Sequence, residues 1–425
     1  MDYNEVERYI FGRRRMGMKF GLDRVRRLMA EAGEPQRSYR TVHVVGTNGK
    51  GSTTAFLSGL LSSLGLRVGR MTSPHLLHYR ERAAVDGAWI PEDAVVEYVE
   101  RFREVIEDCS ATFFEITTVM SAWYFRKAGV DVVVAEAGLG GRLDATRLLD
   151  GEITVFTGVE IEHRRILGYT EHEIAAEKVA IAREGSTLLA YLQKPPVEEV
   201  IQAAVRDRRL KRLVPEPAEE APLPGAHQRR NAGLALLAAS VLTGTDISVV
   251  REAYAAMLPG FRWAGRIDLR AGDPAILFDV AHNPGSMGNL IEYLEKGWRL
   301  PVPAVVGFLE DKFWKRMIRQ LKGVFDPVIA TTPLNERALP ASRLAEEFGR
   351  TGTEAFREDD IGKALEKGRA LGKELLVVTG SFFITGAAMT RAWERGWIAM
   401  PGMGEEPEQL FLSSLDVDSP RRTDL

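Results

Sequence analysis

The stretch TVHVVGTNGKGSTT, residues 41–54, decides the fold of this chain. An apolar β-branched run ends at a glycine, a glycine-rich turn with one lysine follows, and three hydroxyl residues then open an apolar helical pattern. A strand that ends in glycines and leads into a helix is typical of a phosphate-binding loop, because unpaired N–H groups and the positive helix end face the anion. The segment therefore predicts a nucleoside triphosphate site. Its expected contacts are Gly46, Thr47, Asn48, Gly49, Lys50, Gly51, Ser52 and Thr53.

This loop departs from the usual pattern G-x-x-x-x-G-K-[ST]. Val44 and Gly51 stand where a glycine and a hydroxyl are expected, and the hydroxyl comes one residue late, at Ser52. The glycines still allow the backbone to approach a phosphate closely. The competing interpretation, a tight turn with a surface lysine, does not explain why glycines, lysine and hydroxyl cluster at one strand-to-helix junction.

Composition limits the classes of protein to consider. The 425 residues are enough for two or three domains, and 45% of them are hydrophobic, which supports a large core. A formal net charge of −3 offers no basic surface for nucleic acid. One cysteine excludes a disulfide framework and favours the cytoplasm. Apolar stretches of about 18 residues are missing from the sequence, so no membrane span is expected.

Apolar strands alternate with amphipathic helices along most of the chain, which predicts an α/β fold with mostly parallel sheets. Residues 257–265, MLPGFRWAG, carry a proline and two glycines after a helical region and are interpreted as the approach to a second domain. We predict a P-loop ATPase domain, a linker, a smaller Rossmann-like α/β domain and a disordered tail. These cover residues 1–261, 262–266, 267–400 and 401–425, respectively.

The hydrophobic periods also locate individual elements. Residues 194–226 lack a clear period and are predicted to form an excursion, partly helical at 197–206. Strands are expected at 41–45, 67–71, 131–136, 153–157, 275–280, 302–308, 326–331 and 374–379. Helices are expected at 52–64, 92–107, 114–128, 171–183, 229–243, 247–257, 285–296, 312–323, 340–349, 359–370 and 383–395.

Polar residues follow two more strands of the first domain. Glu136 ends one strand, and ligands of open α/β sheets lie beyond such carboxyl ends, so its carboxylate could hold Mg²⁺. The GLGGR that follows does not complete a dinucleotide turn. A single histidine such as His163 is more often structural, and it becomes a metal candidate because Ser52 and Glu136 should converge there. Lys178 lies in a predicted helix, where a lysine is usually solvated.

In the second domain, the segment AILFDVAHNP (275–284) is an apolar strand with polar residues at its end. Asn283 is explained as the N-cap of a helix that starts with proline, but capping does not account for Asp279 and His282. These side chains therefore indicate a ligand site. Arg266, just after the linker, could bring a cation to phosphates.

Eight ordered motifs between residues 43 and 383 resemble folylpolyglutamate synthase and dihydrofolate synthase of the Mur ligase superfamily, and the resemblance extends over residues 20–395. The resemblance implies an ATP-dependent, cytoplasmic, monomeric ligase. It would add L-glutamate to a folate or dihydropteroate carboxylate through an acyl phosphate. The motifs are HVVGTNGKGST (43–53), TSPHL with RER (72–76, 80–82), EAGLGGRLDAT (136–146), HRRILG (163–168), EKVAI (177–181), HQRRNA (227–232), DVAHNP (279–284) and VTGSFF (378–383).

The resemblance also implies residue roles. Ser52, Glu136 and His163 would bind one or two Mg²⁺ ions, and Lys178 aligns with a lysine that the family carbamylates. Arg147 replaces the family's asparagine beside the pterin pocket, which puts pterin specificity in question. The implied catalytic residues are Lys50, Glu136, His163, Lys178 and His282. The implied nucleotide contacts include Asn231, Arg266 and Asp279, and the implied substrate contacts are Ser73, Asp144, Ala145, Arg147, His282 and Ser381.

Three alternatives differ in acceptor or activity. A Mur ligase of cell-wall synthesis would carry an extra N-terminal domain, whereas the phosphate loop here begins at Gly46. A ligase with a non-folate acceptor could use Arg147 to bind another anionic group. A non-catalytic ATP-binding regulator need not retain the full set of Lys50, Glu136, His163 and Lys178.

Overall fold

Two units, each built around its own sheet, make up the computed structural model, which describes residues 1–16 and 21–399. The first unit comprises residues 1–221 and 228–261, and the second comprises 222–227 and 262–399 within the described part. The division therefore groups the expected linker with the second unit. The predicted tail, 401–425, lies outside the described residues.

The first unit contains an eight-stranded sheet among its described residues, with strand order β4-β3-β2-β5-β1-β6-β7-β8. Six strands run parallel, and β3 and β4 add an antiparallel edge. The strands are β1 Arg40–Val45, β2 Val68–Met71, β3 Ala83–Val85, β4 Ala88–Trp89, β5 Val132–Glu136, β6 Ile153–Phe156, β7 Thr187–Ala190 and β8 Lys211–Leu213. The helices are α1 Tyr3–Gly12, α2 Asp23–Glu31, α3 Lys50–Ser63, α4 Glu92–Asp108, α5 Phe113–Ala128, α6 Arg164–Leu167, α7 Glu171–Val179, α8 Pro195–Asp207, α9 Ala226–Thr243 and α10 Ile247–Met257.

The central strands place the predicted site at one edge of this sheet. Strands β1 and β5 are covered on both faces, which explains their continuous β-branched sequences. Val44 lies opposite Glu136, and Val45 lies opposite Phe156. Because all three strands are parallel, the phosphate loop, Glu136 and the segment after β6 emerge at the same edge. The neighbouring position of these strands, assumed from the sequence, is thus confirmed.

The second unit repeats this plan with a six-stranded sheet in its described part, ordered β13-β12-β11-β14-β10-β9. Only the edge strand β9 is antiparallel, so the expected α/β class with mostly parallel sheets is confirmed in both units. Its strands are β9 Asp268–Arg270, β10 Ala275–Phe278, β11 Val302–Val306, β12 Phe325–Ala330, β13 Ala355–Arg357 and β14 Leu375–Thr379. Its helices are α11 Pro284–Gly297, α12 Trp314–Gln320, α13 Ala341–Arg350, α14 Ile361–Leu371 and α15 Phe382–Glu394.

Among the described elements, α1, α2, α6, β3, β4, β7, β9 and β13 fall outside the stretches predicted from the sequence, and two predicted stretches differ in detail. The helix predicted at 171–183 ends at Val179, and Arg208 donates from Nη1 to the carbonyls of Ala180 and Ala182, at 2.9 and 2.8 Å. The prediction of an irregular, partly helical excursion at 194–226 was only partly correct. Its helix exists as α8, but β8 also lies there and pairs with β7, a strand too short and polar to show a hydrophobic period. Across the described residues, we find no helix with the length and apolar character needed to span a bilayer.

One glycine shows how closely α5 packs on the sheet. Gly69 lies in β2, and a Cβ atom there would stand 2.9 Å from Cγ and Cδ1 of Phe125 and 3.1 Å from Cγ2 of Val133. Both neighbours are fully buried, so neither can move into solvent. Because Gly69 has no side chain, α5 can pack this close to the sheet.

We expect Gly69→Ala to lower the free energy of unfolding by about 1–3 kcal/mol, because the added methyl overpacks this contact. Urea unfolding followed by circular dichroism measures the change. Gly12→Ala is the matched control, since a Cβ on that helical glycine meets nothing within 4 Å. Equal urea midpoints for the two variants would contradict the packing argument.

Candidate active site

Glycines give the loop between β1 and α3 its shape. A Cβ on Gly46 would stand 1.9 Å from Oγ1 of Thr157 and 3.0 Å from the carbonyl oxygen of Gly158. Gly49 has a φ of 83°, and its Cβ would meet Oδ1 of Asn231 at 2.5 Å. The loop therefore lies directly against the segment after β6 and against α9. This places Asn231, a predicted nucleotide contact, beside the loop.

Hydrogen bonds hold the loop to the segment that follows β6. The amide of Thr47 donates to the carbonyl of Gly158 at 2.9 Å, and its hydroxyl accepts from the amide of Glu160 at 3.1 Å. Asn48 Nδ2 donates to Oε1 of Glu160 at 3.0 Å. The hydroxyl of Thr157 donates to the carbonyl of Asn48 at 2.6 Å. Neither Thr157 nor Glu160 was predicted as a site residue, although their position at the neighbouring strand end was a usable signal.

The lysine of the loop meets the carboxylate at the end of β5. Lys50 Nζ donates to the carbonyl of Thr47 at 3.1 Å and lies 3.9 Å from Oε1 of Glu136. The other carboxylate oxygen accepts from the amide of Ser73 at 3.1 Å. Glu136 is buried and Lys50 is 17% exposed, so this pair is shielded from bulk water. The structure thus brings together three residues that the sequence singled out separately.

The hydroxyl of Ser52 lies in the first turn of α3 and contacts α9. It accepts from Nε2 of Gln228 at 3.3 Å, and Oε1 of Gln228 accepts from Nδ2 of Asn231 at 2.9 Å. Gln228 was not predicted as a site residue. Its spacing of three from Asn231, which puts both on one face of a helix, was the available signal. The neighbouring Thr53 is fully buried beneath the loop.

A small cavity of ≈ 30 Å³ lies beside the loop, large enough for a water or a metal ion. The segment around Lys178 suggested a solvated lysine, whereas the family resemblance gave this residue a role at the metal site; the side chain is in fact buried and lines this cavity. Its Nζ donates to the carbonyl of Gly46 at 2.8 Å. The cavity is lined by Gly46, Thr47, Lys50, Gly138, Leu139, Glu162, His163, Leu167 and Lys178.

The surroundings of Lys178 change its protonation. Burial first, and then the charge of Lys50, lower the pKa of Lys178 to about 7. The carboxylates of Glu162 and Asp144 act in the opposite direction. A large fraction of this amine is therefore neutral and nucleophilic near neutral pH.

The predicted metal ligands are only partly gathered. His163 lines the cavity with Lys178, has a left-handed φ of 50°, and lies with Nε2 3.8 Å from Oε1 of Glu162. Such a backbone conformation in a non-glycine residue is common at functional sites. Ser52 and Glu136 are not among the residues that line the cavity. Over the described residues, no group of three or more His, Cys, Asp or Glu side chains is arranged for a metal.

The donor types nevertheless fit a divalent cation. The predicted set supplies a hydroxyl, a carboxylate and an imidazole, which suit Mg²⁺ or Mn²⁺ when phosphate oxygens and water complete the shell. Of the four predicted ligands, only Glu136 and His163 are His, Cys, Asp or Glu residues; the other two are a serine and a lysine. The absence of such a cluster among the described residues is thus compatible with this mixed set.

The loop that contains Ser73 is held at both ends. Glu136 accepts a hydrogen bond from the amide of Ser73, and the half-buried carboxylate of Glu81 accepts from the amides of Leu76, Leu77 and His78 at 2.8, 2.6 and 2.7 Å. A carboxylate that accepts three amides fixes the backbone between them. Glu81 was quoted within a motif but was not predicted as a site residue.

The predicted acceptor residues after β5 form an anchored loop. Asp144 accepts from the amides of Leu139 and Thr146 at 2.7 and 3.0 Å, and burial raises its pKa. Ala145 is buried, and Arg147 donates from Nη1 to the carbonyl of Arg142 at 2.9 Å. Asp144 therefore orders this loop, and its contact with a substrate stays a prediction.

In the second unit, Asp279 and His282 follow β10 as predicted. The buried carboxylate of Asp279 accepts from the amides of Ile267 and Ala281, both at 2.8 Å. Burial raises the pKa of Asp279 to about 6, against the effect of these amides and of Arg266. His282 Nδ1 lies 2.9 Å from the carbonyl oxygen of Val280. Since a carbonyl only accepts, Nδ1 carries the proton in this contact.

Arg266 lies close to His282 through a shared phenyl ring. The guanidinium of Arg266 lies 4.8 Å from the ring centre of Phe382, and the ring of His282 lies 5.7 Å from it. Ser381 caps α15 by accepting from the amide of Ile384 at 3.2 Å. Asn283 caps α11, as the sequence indicated. Phe382, which was not predicted as a site residue, contacts both Arg266 and His282.

We expect Lys50→Ala to abolish the thermal stabilisation by MgATP, because the variant loses the positive charge that the loop offers to the phosphates. At 100 times Kd, a ligand stabilises the wild type by about 2.7 kcal/mol, or roughly 5–10 °C in melting temperature. Lys194→Ala, at an exposed lysine, should keep the full shift. An unchanged ATP-dependent melting shift in Lys50→Ala would contradict the assignment of this loop.

Comparisons with known proteins agree with this geometry. Residues 265–382 match the family model described as Mur ligase, glutamate ligase domain. Dihydrofolate synthase/folylpolyglutamate synthase of Bacillus subtilis is 31% identical over 418 residues, which cover 90% of this chain and 97% of that relative. The probable bifunctional folylpolyglutamate synthase/dihydropteroate synthase of Halobacterium salinarum is 33% identical over 434 residues, or 93% of this chain. The chain spans about half the length, 52% and 51%, of this relative and of its Haloferax volcanii counterpart.

Solved structures give the same picture. Mycobacterium tuberculosis folylpolyglutamate synthase complexed with ADP matches with a TM-score of 0.83 at 29% identity, over 91% of this chain and 97% of that one. The bifunctional folylpolyglutamate synthase/dihydrofolate synthase of Yersinia pestis, complexed with AMPPNP and a Mn ion, matches with a TM-score of 0.79 at 26% identity, over 92% and 98%. Together with identities above 30% across nine tenths of the sequence, this likeness means that the chain belongs to the folylpolyglutamate synthase/dihydrofolate synthase family.

Proposed function

We propose that this chain is an ATP-dependent ligase that joins L-glutamate to the carboxylate of a folate-type acceptor. The observation that carries the proposal is the loop in which Lys50 and the buried Glu136 meet beside Ser73. Membership of the family and the match of residues 265–382 to a glutamate ligase domain support it. The relatives in the solved structures hold ADP, or AMPPNP with a Mn ion, which supports a nucleotide and a divalent cation here.

The proposed reaction has two steps. An oxygen of the acceptor carboxylate attacks the γ-phosphorus of ATP, a new O–P bond forms, the bond to the bridging oxygen breaks, and ADP leaves. The amine of L-glutamate then attacks the acyl carbon, the bond to the phosphate oxygen breaks, and the nitrogen loses a proton. Lys50 and the amides of the loop would offset the negative charge that builds on the transferred phosphoryl group. A divalent ion bound through Ser52, Glu136 and His163 would supply further positive charge at the phosphates.

The remaining predicted residues receive roles in this proposal. We assign Asn231, Arg266 and Asp279 to nucleotide binding, and His282 and Ser381 to L-glutamate. Asp144, Ala145 and Arg147 would border the acceptor. The expected cytoplasmic, monomeric state also stays a prediction.

We expect release of ADP only when ATP, Mg²⁺, L-glutamate and a pterin acceptor are all present. Coupled ADP assays with dihydropteroate and with tetrahydrofolate, run in parallel, test this and separate the two activities. Omitting each component in turn is the control. If neither acceptor stimulates ADP release, the folate assignment falls, and a ligase with another acceptor becomes the better interpretation.

We further propose that Lys178 reacts with CO₂ to form a carbamate. Only a neutral amine attacks CO₂, and the buried position of Lys178 favours the neutral form. The new N–C bond forms as the amine loses a proton, and the product carries a carboxylate. The cavity beside His163 would then contain an anionic oxygen ligand for a divalent ion.

Lys178→Ala should lower the rate of turnover roughly 10- to 100-fold, the usual cost of losing a supporting ligand. Incubation with ¹³C-bicarbonate should give a carbamate carbonyl resonance in the wild type and in Lys194→Ala, but not in Lys178→Ala. The resonance does not depend on activity. A wild-type spectrum without it, or a Lys178→Ala variant with normal turnover, would exclude the carbamate.

A further inference from the structure

An aromatic cluster lies at the end of α1, in the first unit. The ring centres of Phe11, Tyr79 and Phe113 are 5.5–5.8 Å apart pairwise. The ring of His75 lies 6.0 Å from Phe11 and 6.3 Å from Tyr79. Tyr79 is buried, and its hydroxyl lies 3.0 Å from Oγ1 of Thr117. The cluster joins α1, the loop that begins at Ser73 and the start of α5.

Two guanidinium groups lie on this cluster. Arg14 stands 4.2 Å from the ring centre of Phe11 and 4.4 Å from that of Phe113. Arg82 stands 5.0 Å from the same Phe113 ring and is only 5% exposed. Two cations therefore share one phenyl ring. Burial first, and then the charges of Arg82 and Arg14, lower the pKa of His75. Burial also lowers the pKa of Arg82, and the charge of Arg14 acts in the same direction. Cation–π contacts offset part of the cost of placing them there.

The charge of this pair is not neutralised by the described residues. Arg82 Nε donates to Nδ1 of His75 at 2.8 Å, and burial lowers the pKa of His75 to about 2, so that imidazole is neutral. Across the described residues, neither Arg14 nor Arg82 forms an ion pair with a carboxylate. Arg14 is exposed, whereas Arg82 is buried, and burying the Arg82 guanidinium in this way is costly unless an anion joins it.

The two carboxylates that attract Arg82 are already engaged. Glu81 accepts three backbone amides, and Glu136 accepts the amide of Ser73 and faces Lys50. Arg82 uses one of its five N–H donors in the bond to His75. The remaining fork, beside aromatic rings, matches a carboxylate attached to an organic ligand.

The position of the cluster points to the acceptor. Ser73 contacts Glu136, and His75 follows two residues later in the same loop. Under the proposed function, on which this inference rests, the reacting carboxylate of the acceptor lies at the phosphates. Dihydropteroate has only that carboxylate. A folate that already ends in glutamate has a second one, which does not react.

We propose that Arg14 and Arg82 bind the non-reacting carboxylate of a folyl-glutamate acceptor. The pair is then a specificity determinant that favours extension of an existing glutamate over the first addition to dihydropteroate. The carboxylate neutralises two cations at once, and the rings of Phe11 and Phe113 exclude water from the contact.

Arg14→Gln tests this, because Arg14 lies at the exposed side of the cluster and its loss should leave the core intact. We expect its KM for tetrahydrofolate to rise roughly 10- to 100-fold, the usual effect of losing a hydrogen bond to a charged group. The KM for dihydropteroate, the KM for ATP and the kcat should stay unchanged. Arg14→Lys, which keeps the charge but not the fork, should recover part of the loss. Arg13→Gln is the matched control, since Arg13 lies over Tyr9 instead.

Equilibrium binding of each acceptor, followed by quenching of intrinsic fluorescence, separates this inference from the proposed function. Wild-type binding of both acceptors, with a weaker affinity of Arg14→Gln for tetrahydrofolate alone, supports the inference. An equal loss for both acceptors, or no loss, would overturn it and leave the ligase assignment intact. A wild type that binds neither acceptor would overturn both.

Discussion

The contact between Gly46 and the backbone after β6 is the constraint on which the first unit's site depends. No side chain fits there, since a Cβ would stand 1.9 Å from the hydroxyl of Thr157. The carbonyl of Gly46 also accepts the amine of Lys178, so the loop, the neighbouring strand end and α7 meet at one residue. Parallel pairing of β1 with β6 brings these segments together. The register of the sheet therefore determines which segments meet at the site, and the positions of the strand ends determine which side chains lie there.

The sequence predicted helices and strands well where a regular hydrophobic pattern extended over a long stretch. Central strands such as β1 and β5, and amphipathic helices such as α4, lie within a residue or two of their expected bounds. Short edge strands were missed, because β8 and β13 each contain three residues and pair along one side only. These segments form strands because they pair with the neighbouring strand, and a local sequence pattern does not contain that information.

The candidate site was predictable in its main-chain part and less so in its side chains. Glycines and strand ends located the loop and Glu136, since both signals are local. Gln228, Glu81 and Phe382 were not predicted, because their roles depend on contacts within the folded chain; only the spacing of Gln228 from Asn231 offered a local signal. Lys178 shows the limit most clearly. The family resemblance gave this lysine a role, but nothing in its own segment distinguishes it from a solvated lysine. The tertiary structure shows that its side chain is buried and donates to the loop.

Buried lysine and arginine side chains in this unit respond to burial in two different ways. Lysine can lose its proton, and the burial of Lys178 beside Lys50 moves its pKa to about 7, where a neutral amine is accessible. Arginine keeps its charge, since even the lowered pKa of Arg82, about 10, leaves it protonated at neutral pH. A buried lysine can therefore change its chemistry, whereas a buried arginine must find an anion. This difference explains why a lysine suits a covalent modification beside the phosphates and why an arginine pair suits the recognition of a carboxylate.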